Sequence, residues 1–469
     1  MKRILRFYKT WLLLFPLAMY FSYYPIISLG ANDTMNFDLS ITLIWVVVFD
    51  ILGFLLLIWK KRLFNFRKQW PWLIMPAYFA LSITWSHDKM RALLILGVLL
   101  SIYFAVYSIF TLKDLILNKE YKKSFFKSLF ASSLVIAAWC FIQSILDLAG
   151  VSRECTMMCP GCTYRTFGFP HPNGFAIEPQ FMGNLLLAPI ITSMYFAVQN
   201  KMFKRKNMLI IFAILATTLF FTLSRGAIYA FLIVAFSAVI YWFVKTKKYQ
   251  VFGLWGIIAL SFILTLNIQG IMSEVSKTDD TYYSGVTKVI NQLSLGKIDL
   301  GGFNAKKNTS DTTKNEDSIK EVGNDVEKVE PVPEQESSMF GGYIEISTGE
   351  RLDSWKKALT IWKNHFNVAL FGVGFGSAPL ALYEYGETPN ANDLIQNQYV
   401  NTLFETGIIG FLLAAFSIYL IYKSIKGMND RVLIYLIAGA FAITLVFFSG
   451  LPNALHIYIL PAMLILMLA

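Results

Sequence analysis

The residues of this chain that are best suited to chemistry lie where long apolar segments begin or end. Glu178 precedes Pro179, a residue that suits the first turn of a helix. A carboxylate at such a boundary is partly withdrawn from water and is placed to accept a proton as a general base. The alternative is a helix-start carboxylate that the helix dipole stabilises. Arg165 and Asn173 precede Glu178 in the same polar run and are candidates for binding the same ligand.

Two arginines suit an anionic ligand. Arg225 lies in a Ser-Arg-Gly turn between two apolar segments, and Arg351 lies in a polar region further along the chain. A guanidinium can hold the oxygens of a diphosphate through two parallel hydrogen bonds. The alternatives are that Arg225 extends to the lipid headgroups and that Arg351 is an ordinary surface residue. Beyond Arg351, the glycines Gly372, Gly374 and Gly376 predict a tight turn with an exposed backbone.

A further group of polar side chains opens a later apolar segment. Gln396, Asn397 and Tyr399 stand at its start, and Glu405 follows about two helical turns further on. A carboxylate inside a membrane helix is a functional candidate by default, although a bond to a neighbouring helix would also explain it. We therefore predict that these four residues contribute to ligand binding.

Three cysteines, Cys155, Cys159 and Cys162, lie near His171. The two-residue gap between Cys159 and Cys162 is a spacing that zinc sites use. This loop is predicted below to lie outside the cytoplasm, where one disulfide and one remaining thiol form an equally good alternative.

The composition requires a membrane around these residues. Of 469 residues, 56% are hydrophobic and only 15% are charged, and the mean hydropathy is +0.53. A membrane-spanning helix needs roughly 20 apolar residues. On this basis we predict an all-α integral membrane protein with about twelve transmembrane helices. The predicted spans are 11–30, 39–59, 70–86, 91–112, 125–149, 177–198, 208–223, 226–244, 251–271, 397–422, 432–449 and 452–469.

Basic residues predict the orientation of these spans. Clusters of lysine and arginine occur at the N-terminus and after each even-numbered span up to the tenth. Because basic loops stay in the cytoplasm, both termini are expected there. These loops account for the net charge of +11. The basic residues form no separate domain of the kind that binds nucleic acid.

The predicted spans divide the chain into three parts. Helices 1–9 occupy residues 1–271, a large extracytoplasmic loop occupies 272–395, and helices 10–12 occupy 396–469. Within the loop, residues 300–338 are polar and charged and are expected to be flexible. Residues 350–365 have the period of an amphipathic helix, whose predicted apolar face comprises Leu352, Trp355, Leu359 and Trp362.

The order of these elements resembles the O-antigen ligase/O-antigen polymerase superfamily, which comprises bacterial membrane glycosyltransferases of surface polysaccharides. The resemblance covers Trp85 to Gly410. Its motifs, in chain order, are Arg-x-x-Gly…Asn…Glu-Pro, Thr-Leu-Ser-Arg-Gly-Ala, Gly-x-Arg-x-x-x-Trp, Gly-x-Gly-x-Gly and Asn-x-Tyr-x-x-x-x-x-Glu-x-Gly-x-x-Gly.

The resemblance implies a reaction at the outer face of the bacterial cytoplasmic membrane. A glycan carried on undecaprenyl diphosphate is attacked by an acceptor hydroxyl, and lipid diphosphate leaves, without a metal or another cofactor. Arg225 and Arg351 match the family's arginines and would neutralise the leaving diphosphate. The implied partners are the lipid-linked oligosaccharide, membrane lipid, a chain-length regulator and a flippase.

One position departs from the ligase pattern. Ligases of this superfamily have a catalytic histidine just before the asparagine that opens their tenth span, and here that position is Gln396. The Glu178–Pro179 pair instead resembles an element of the polymerases. We therefore favour polymerisation of lipid-linked repeats over ligase-type transfer to a lipid, protein or wall acceptor. A lipid-linked sugar flippase or transporter is the alternative from another class.

The predicted orientation has a direct test. The tract 300–338 should be cleaved by protease added to spheroplasts, because it lies outside the cytoplasmic membrane. A cytoplasmic tag at the N-terminus, probed on the same blot, should stay protected until the cells are lysed. Cleavage of the tract only after lysis would reverse the orientation.

Overall fold

The computed structural model describes residues 2–21, 25–32, 35–62, 66–149, 172–176, 179–199, 202–247, 249–275, 281–294, 298, 343–389, 391, 394–425, 431–447 and 462–464. Helices dominate these ranges. They are α1 (Lys2–Ala18), α2 (Ile41–Trp59), α3 (Phe66–Ser82), α4 (Lys89–Thr111), α5 (Lys113–Ile116), α6 (Lys119–Leu148), α7 (Pro179–Gln199), α8 (Arg205–Phe221), α9 (Arg225–Thr246), α10 (Gly253–Val275), α11 (Tyr282–Leu293), α12 (Tyr343–Asn364), α13 (Phe366–Phe371), α14 (Ala378–Glu384), α15 (Gln398–Ile425) and α16 (Arg431–Thr444).

The helical, multi-pass character predicted from hydropathy is confirmed. Among the described residues, seven helical segments are long and apolar enough to cross a membrane, and they coincide with seven of the twelve predicted spans. Shorter apolar helices cover Leu73–Trp85 and Arg431–Thr444. The count of twelve stays a prediction, and the predicted last span, 452–469, lies almost entirely outside the described residues.

A two-stranded hairpin departs from the all-helical prediction. The first predicted span, 11–30, is replaced by α1, which ends at Ala18, followed by strand β1 (Pro25–Asn32). Strand β2 (Met35–Ser40) pairs with β1 in antiparallel register, from Pro25 opposite Ser40 to Asn32 opposite Met35. Proline lacks the amide hydrogen that a continuing helix needs, which is consistent with the helix ending before Pro25. The Ser40 hydroxyl then accepts a hydrogen bond from the Leu43 amide and caps α2.

Helix α7 lies at the centre of the helical packing. It contacts α6, α8, α9 and α16. Of the residues in its most apolar 18-residue stretch, 89% are buried. Small residues permit this close packing: a Cβ added at Gly183 would lie 2.5 Å from the Cβ of Ser224. The start of α7 is therefore held tightly against the turn between α8 and α9.

Contacts between loops agree with the predicted alternation across the membrane. Arg62 follows α2 and donates to both carboxylate oxygens of Asp114, at 2.6 and 2.9 Å. Both residues belong to loops predicted to face the cytoplasm, and the guanidinium lowers the pKa of Asp114. Arg205 and Gln250, also predicted on that face, meet through a hydrogen bond of 3.3 Å.

Helix α12 packs with only part of the predicted apolar face. Trp355 and Trp362 pack, as predicted, against a small apolar cluster in which Ala358 and Ile361 are buried. Leu352 and Leu359 are instead 44% and 41% exposed. The helical period is as expected, but the buried stripe is displaced around the axis. Against its neighbours α13 and α15, the small side chain of Ala358 allows closer packing than the leucines would.

Candidate functional site

Arg351 and the turn containing Arg225 converge on the first residues of α7. The Arg351 Nη2 atom donates to Gln180 Oε1 at 3.0 Å. The backbone carbonyl of Gln180 accepts a hydrogen bond from Ser224 Oγ at 3.4 Å. Ser224 directly precedes Arg225, so Gln180 links the two arginine-bearing segments at one end of the helical bundle.

The turn before Arg225 has an unusual backbone. Leu223 has φ +52°, a left-handed conformation that costs a residue with a side chain roughly 1–2 kcal/mol. Its amide hydrogen-bonds to the Phe220 carbonyl at 3.1 Å, which closes the end of α8. The result is a three-residue connection, Thr222 to Ser224, that sets Arg225 as the first residue of α9. Strained backbone of this kind is common at functional sites.

Arg225 is half-buried and lies close to Tyr229, one turn further along α9. The Tyr229 hydroxyl donates to the carbonyl of Leu293, the last residue of α11. The end of α11 therefore borders the arginine-bearing turn. Arg351 is half-buried as well, and partial burial strengthens the attraction of a guanidinium for an anion.

Glu178 lies outside the described residues, as do Arg165 and His171. Pro179 and Gln180, which follow Glu178, open α7 beside the arginine-bearing segments. The role of Glu178 thus stays a prediction, based on its place in the chain next to Gln180.

The Asn173 side chain is fully buried, and the structure shows it hydrogen-bonded to other groups of the protein. Its Nδ2 atom donates to the Ala176 carbonyl at 2.6 Å, and its Oδ1 atom accepts from Gln143 Nε2 at 2.8 Å. Gln143 Oε1 accepts in turn from the Gly174 amide at 3.0 Å. This arrangement ties the segment before Glu178 to α6 and favours a positioning role for Asn173.

Polar side chains at the start of α15 form hydrogen bonds to the protein backbone. Asn397 Oδ1 accepts hydrogen bonds from the amides of Tyr399 and Val400, both at 3.0 Å, and so caps the helix. The Tyr399 hydroxyl donates to the Ala442 carbonyl at 2.9 Å, which joins α15 to α16. Gln396, by contrast, is exposed at the start of this segment.

Glu405 is 3% exposed and holds the turn that precedes α14. Its Oε1 atom accepts from the Ala378 amide at 3.3 Å, and the amide of Gly376 also donates to its carboxylate. The alternative recognised from the sequence, a bond to a neighbouring element, is what the structure contains. Arg91, which is 6% exposed, is close enough to Glu405 for their charges to interact.

Arg91 and Asp88 are buried charged residues that were not among the predicted site residues. Asp88 Oδ1 accepts from the Arg91 amide at 3.0 Å and caps α4. The signal was available, because a charge next to an apolar span demands a partner.

The glycine turn is enclosed, contrary to the prediction of an exposed backbone. The amide of Gly374 donates to the Glu405 carbonyl at 3.0 Å, and a Cβ on Gly374 would lie 2.3 Å from Ser86 Cα. A Cβ on Gly372 would lie 2.3 Å from the Glu405 carbonyl, and a Cβ on Gly407 would lie 2.3 Å from that of Leu370. Gly407 also has φ +64° and kinks α15. The glycines therefore allow two segments to cross and are poorly placed to bind a diphosphate.

This crossing predicts a large effect from one methyl group. Gly372→Ala should destabilise the protein by about 2–5 kcal/mol, from left-handed strain plus overpacking. Gly386→Ala is the matched control, since Gly386 has a similar φ of +73° but open space around its Cβ. Thermal unfolding in detergent, followed by tryptophan fluorescence, measures both. Equal losses in the two variants would exclude the backbone contact as the cause.

The cysteine cluster lies outside the described residues. Within the described ranges there is no group of three histidine, cysteine or acidic residues that could hold a metal ion. Cys140, in α6, is a buried free thiol.

Residues 210–415 match the protein-family model described as O-antigen ligase. The matched range runs from α8 to α15, so it includes Arg225, Arg351 and Glu405 but begins after Glu178. No curated protein matches the chain. The match confirms the resemblance to the O-antigen ligase/O-antigen polymerase superfamily that the motifs indicated.

Proposed function

For this chain of the O-antigen ligase/O-antigen polymerase superfamily, we propose that it polymerises undecaprenyl-diphosphate-linked oligosaccharide repeats at the outer face of the bacterial cytoplasmic membrane. The observation that carries the proposal is the convergence of Arg351, Gln180 and the Ser224–Arg225 turn at the start of α7. Two cations in one half-buried region match the two phosphates of the donor's leaving group.

The reaction is a substitution at the anomeric carbon of the donor sugar. A hydroxyl oxygen of the acceptor glycan forms the new bond to this carbon while the carbon–oxygen bond to the diphosphate breaks. The electron pair of the broken bond stays on the diphosphate oxygen, where Arg225 and Arg351 neutralise the developing charge. The Glu178 carboxylate takes the acceptor's proton. No metal ion has a role in this scheme.

Gln396 supports polymerase over ligase. A primary amide has no basic lone pair to accept a proton at neutral pH, so Gln396 cannot replace the catalytic histidine of the ligases. Its exposed side chain at the start of α15 suits hydrogen bonds to sugar hydroxyls. Ligase-type transfer to a lipid, protein or wall acceptor is the second candidate, since the matching family model is that of the ligases. The family match gives no support to a flippase.

The proposed enzyme has a defined orientation and defined partners. Both termini lie in the cytoplasm, and the loop bearing Arg351 lies outside. A flippase supplies the lipid-linked repeat, and a chain-length regulator acts on the growing polymer. The alternating basic loops and the superfamily resemblance support this arrangement.

The test is the surface-glycan profile of a deletion strain. Polymerase activity predicts the loss of long chains while a single repeat is still attached to its final acceptor. Ligase activity predicts the accumulation of long chains on the lipid carrier. A profile identical to that of the parent strain, with lipid-linked intermediates also unchanged, would contradict both activities.

A further inference from the structure

A groove lies between α8 and α10, at the opposite end of α8 from the arginine-bearing turn. It has a volume of about 550 Å³, and its lining residues are Arg205, Lys206, Leu209, Ile210, Ala213 and Ile257. Helix α8 has 17 residues and is therefore about 25 Å long. The groove is thus remote from Ser224 and is separate from the proposed active site.

The groove has a cationic end and an apolar floor. Arg205 and Lys206 are exposed at the first turn of α8. The apolar lining residues of α8 follow within the next two turns, and Ile257 of α10 completes the apolar lining. The apolar surface continues towards the middle of the membrane, where Leu260 and Leu264 on α10 are 65% and 48% exposed. A headgroup-sized cationic region thus leads directly into a surface that suits an acyl chain.

Among the described residues, no acidic side chain pairs with the positive charge at this end. The sequence has no aspartate or glutamate between Glu178 and Glu274. In the described part of the chain, neither Arg205 nor Lys206 forms an ion pair. Arg205 Nη1 instead donates to the neutral Gln250 Oε1 at 3.3 Å. Gln250 lies in the Tyr249–Phe252 turn that leads into α10, so this bond orients the guanidinium across the end of the groove.

We propose that this groove binds one anionic phospholipid of the surrounding leaflet. The lipid phosphate contacts Arg205 and Lys206, and one acyl chain lies over Leu209, Ala213 and Ile257. Basic pockets between membrane helices favour anionic headgroups, and each basic residue at a membrane surface adds to that attraction. A free phosphate ion would leave the apolar floor uncovered, whereas the acyl chain of a lipid covers it.

The experiment uses the full-length protein in nanodiscs of phosphatidylcholine that contain a minor fraction of phosphatidylglycerol. Native mass spectrometry after mild release counts the lipids that stay bound. The wild-type protein should retain one phosphatidylglycerol in preference to phosphatidylcholine. The R205A/K206A variant should lose at least tenfold in phosphatidylglycerol occupancy. The K119A/K123A control removes two exposed charges from the same predicted membrane face and should retain the lipid.

A second variant separates a specific groove from a diffuse attraction. Ile210 is 50% exposed within the groove, so Ile210→Trp should fill the groove without disturbing the core and leave both cations in place. We expect Ile210→Trp to lower lipid occupancy as well. Unchanged occupancy in either groove variant, equal loss in the control, or equal retention of phosphatidylcholine would overturn the proposal.

Discussion

Arg351→Ala and Arg225→Ala are each expected to abolish long-chain polymer while the protein still inserts into the membrane. Each guanidinium stabilises charge that develops on the departing diphosphate. Removing one such donor typically lowers the rate by about 10²–10³-fold. Because chain length depends on repeated cycles, a loss of this size should leave single repeats. The measurement is the glycan length distribution in a complemented deletion strain, with blotting for protein level.

The hydrogen bond from Arg351 to Gln180 provides an internal control. If Arg351 served only to hold Gln180, Gln180→Ala would be as damaging as Arg351→Ala. We expect Gln180→Ala to lower activity much less, because the cation remains. Arg351→Lys should be intermediate, since an ammonium keeps the charge but cannot form the paired hydrogen bonds of a guanidinium.

Arg431→Ala is the matched arginine control. Arg431 is exposed at the start of α16, on the face predicted to be cytoplasmic. Its replacement should leave the glycan profile unchanged. Normal polymer length in the alanine variants of both Arg225 and Arg351 would remove the diphosphate role from the proposal.

Glu178→Gln is expected to remove polymer formation with little change in protein level. The substitution is nearly isosteric but eliminates the proton acceptor, and general-base catalysis is typically worth roughly 10²–10⁴-fold. Glu178→Asp should retain part of the activity because it keeps a carboxylate. The same length distribution, normalised to the amount of protein in the membrane, measures both variants.

Glu405 provides the contrast for Glu178. Its carboxylate accepts backbone hydrogen bonds in a buried turn, so Glu405→Gln should lower the amount of folded protein along with activity. Normal-length polymer from Glu178→Gln would show that Glu178 is a helix-start carboxylate. In that case Glu405, if its variant were inactive at a normal protein level, would become the candidate base.

Hydropathy and charge by themselves determined the membrane character of this protein and most of its helical segments. Each span is a local property, since about 20 consecutive apolar residues are enough to favour the bilayer. The positions of the basic loops were equally predictable from the sequence. Arg62 and Asp114, which were assigned to the same face of the membrane, do contact each other in the structure. The motif order, another property of the chain alone, indicated the superfamily that residues 210–415 match.

Tertiary packing decided what the sequence pattern left open. The helical period of α12 predicted an apolar face, and Trp355 and Trp362 of that face do pack inward. Leu352 and Leu359 are exposed, however, while Ala358 and Ile361 are buried. Likewise, no local signal shows that Gly372 must lie against the backbone of Glu405. The contact of Arg351 with Gln180 joins segments far apart in the sequence. Such contacts depend on which helices become neighbours, and that is set by the close packing of the whole bundle.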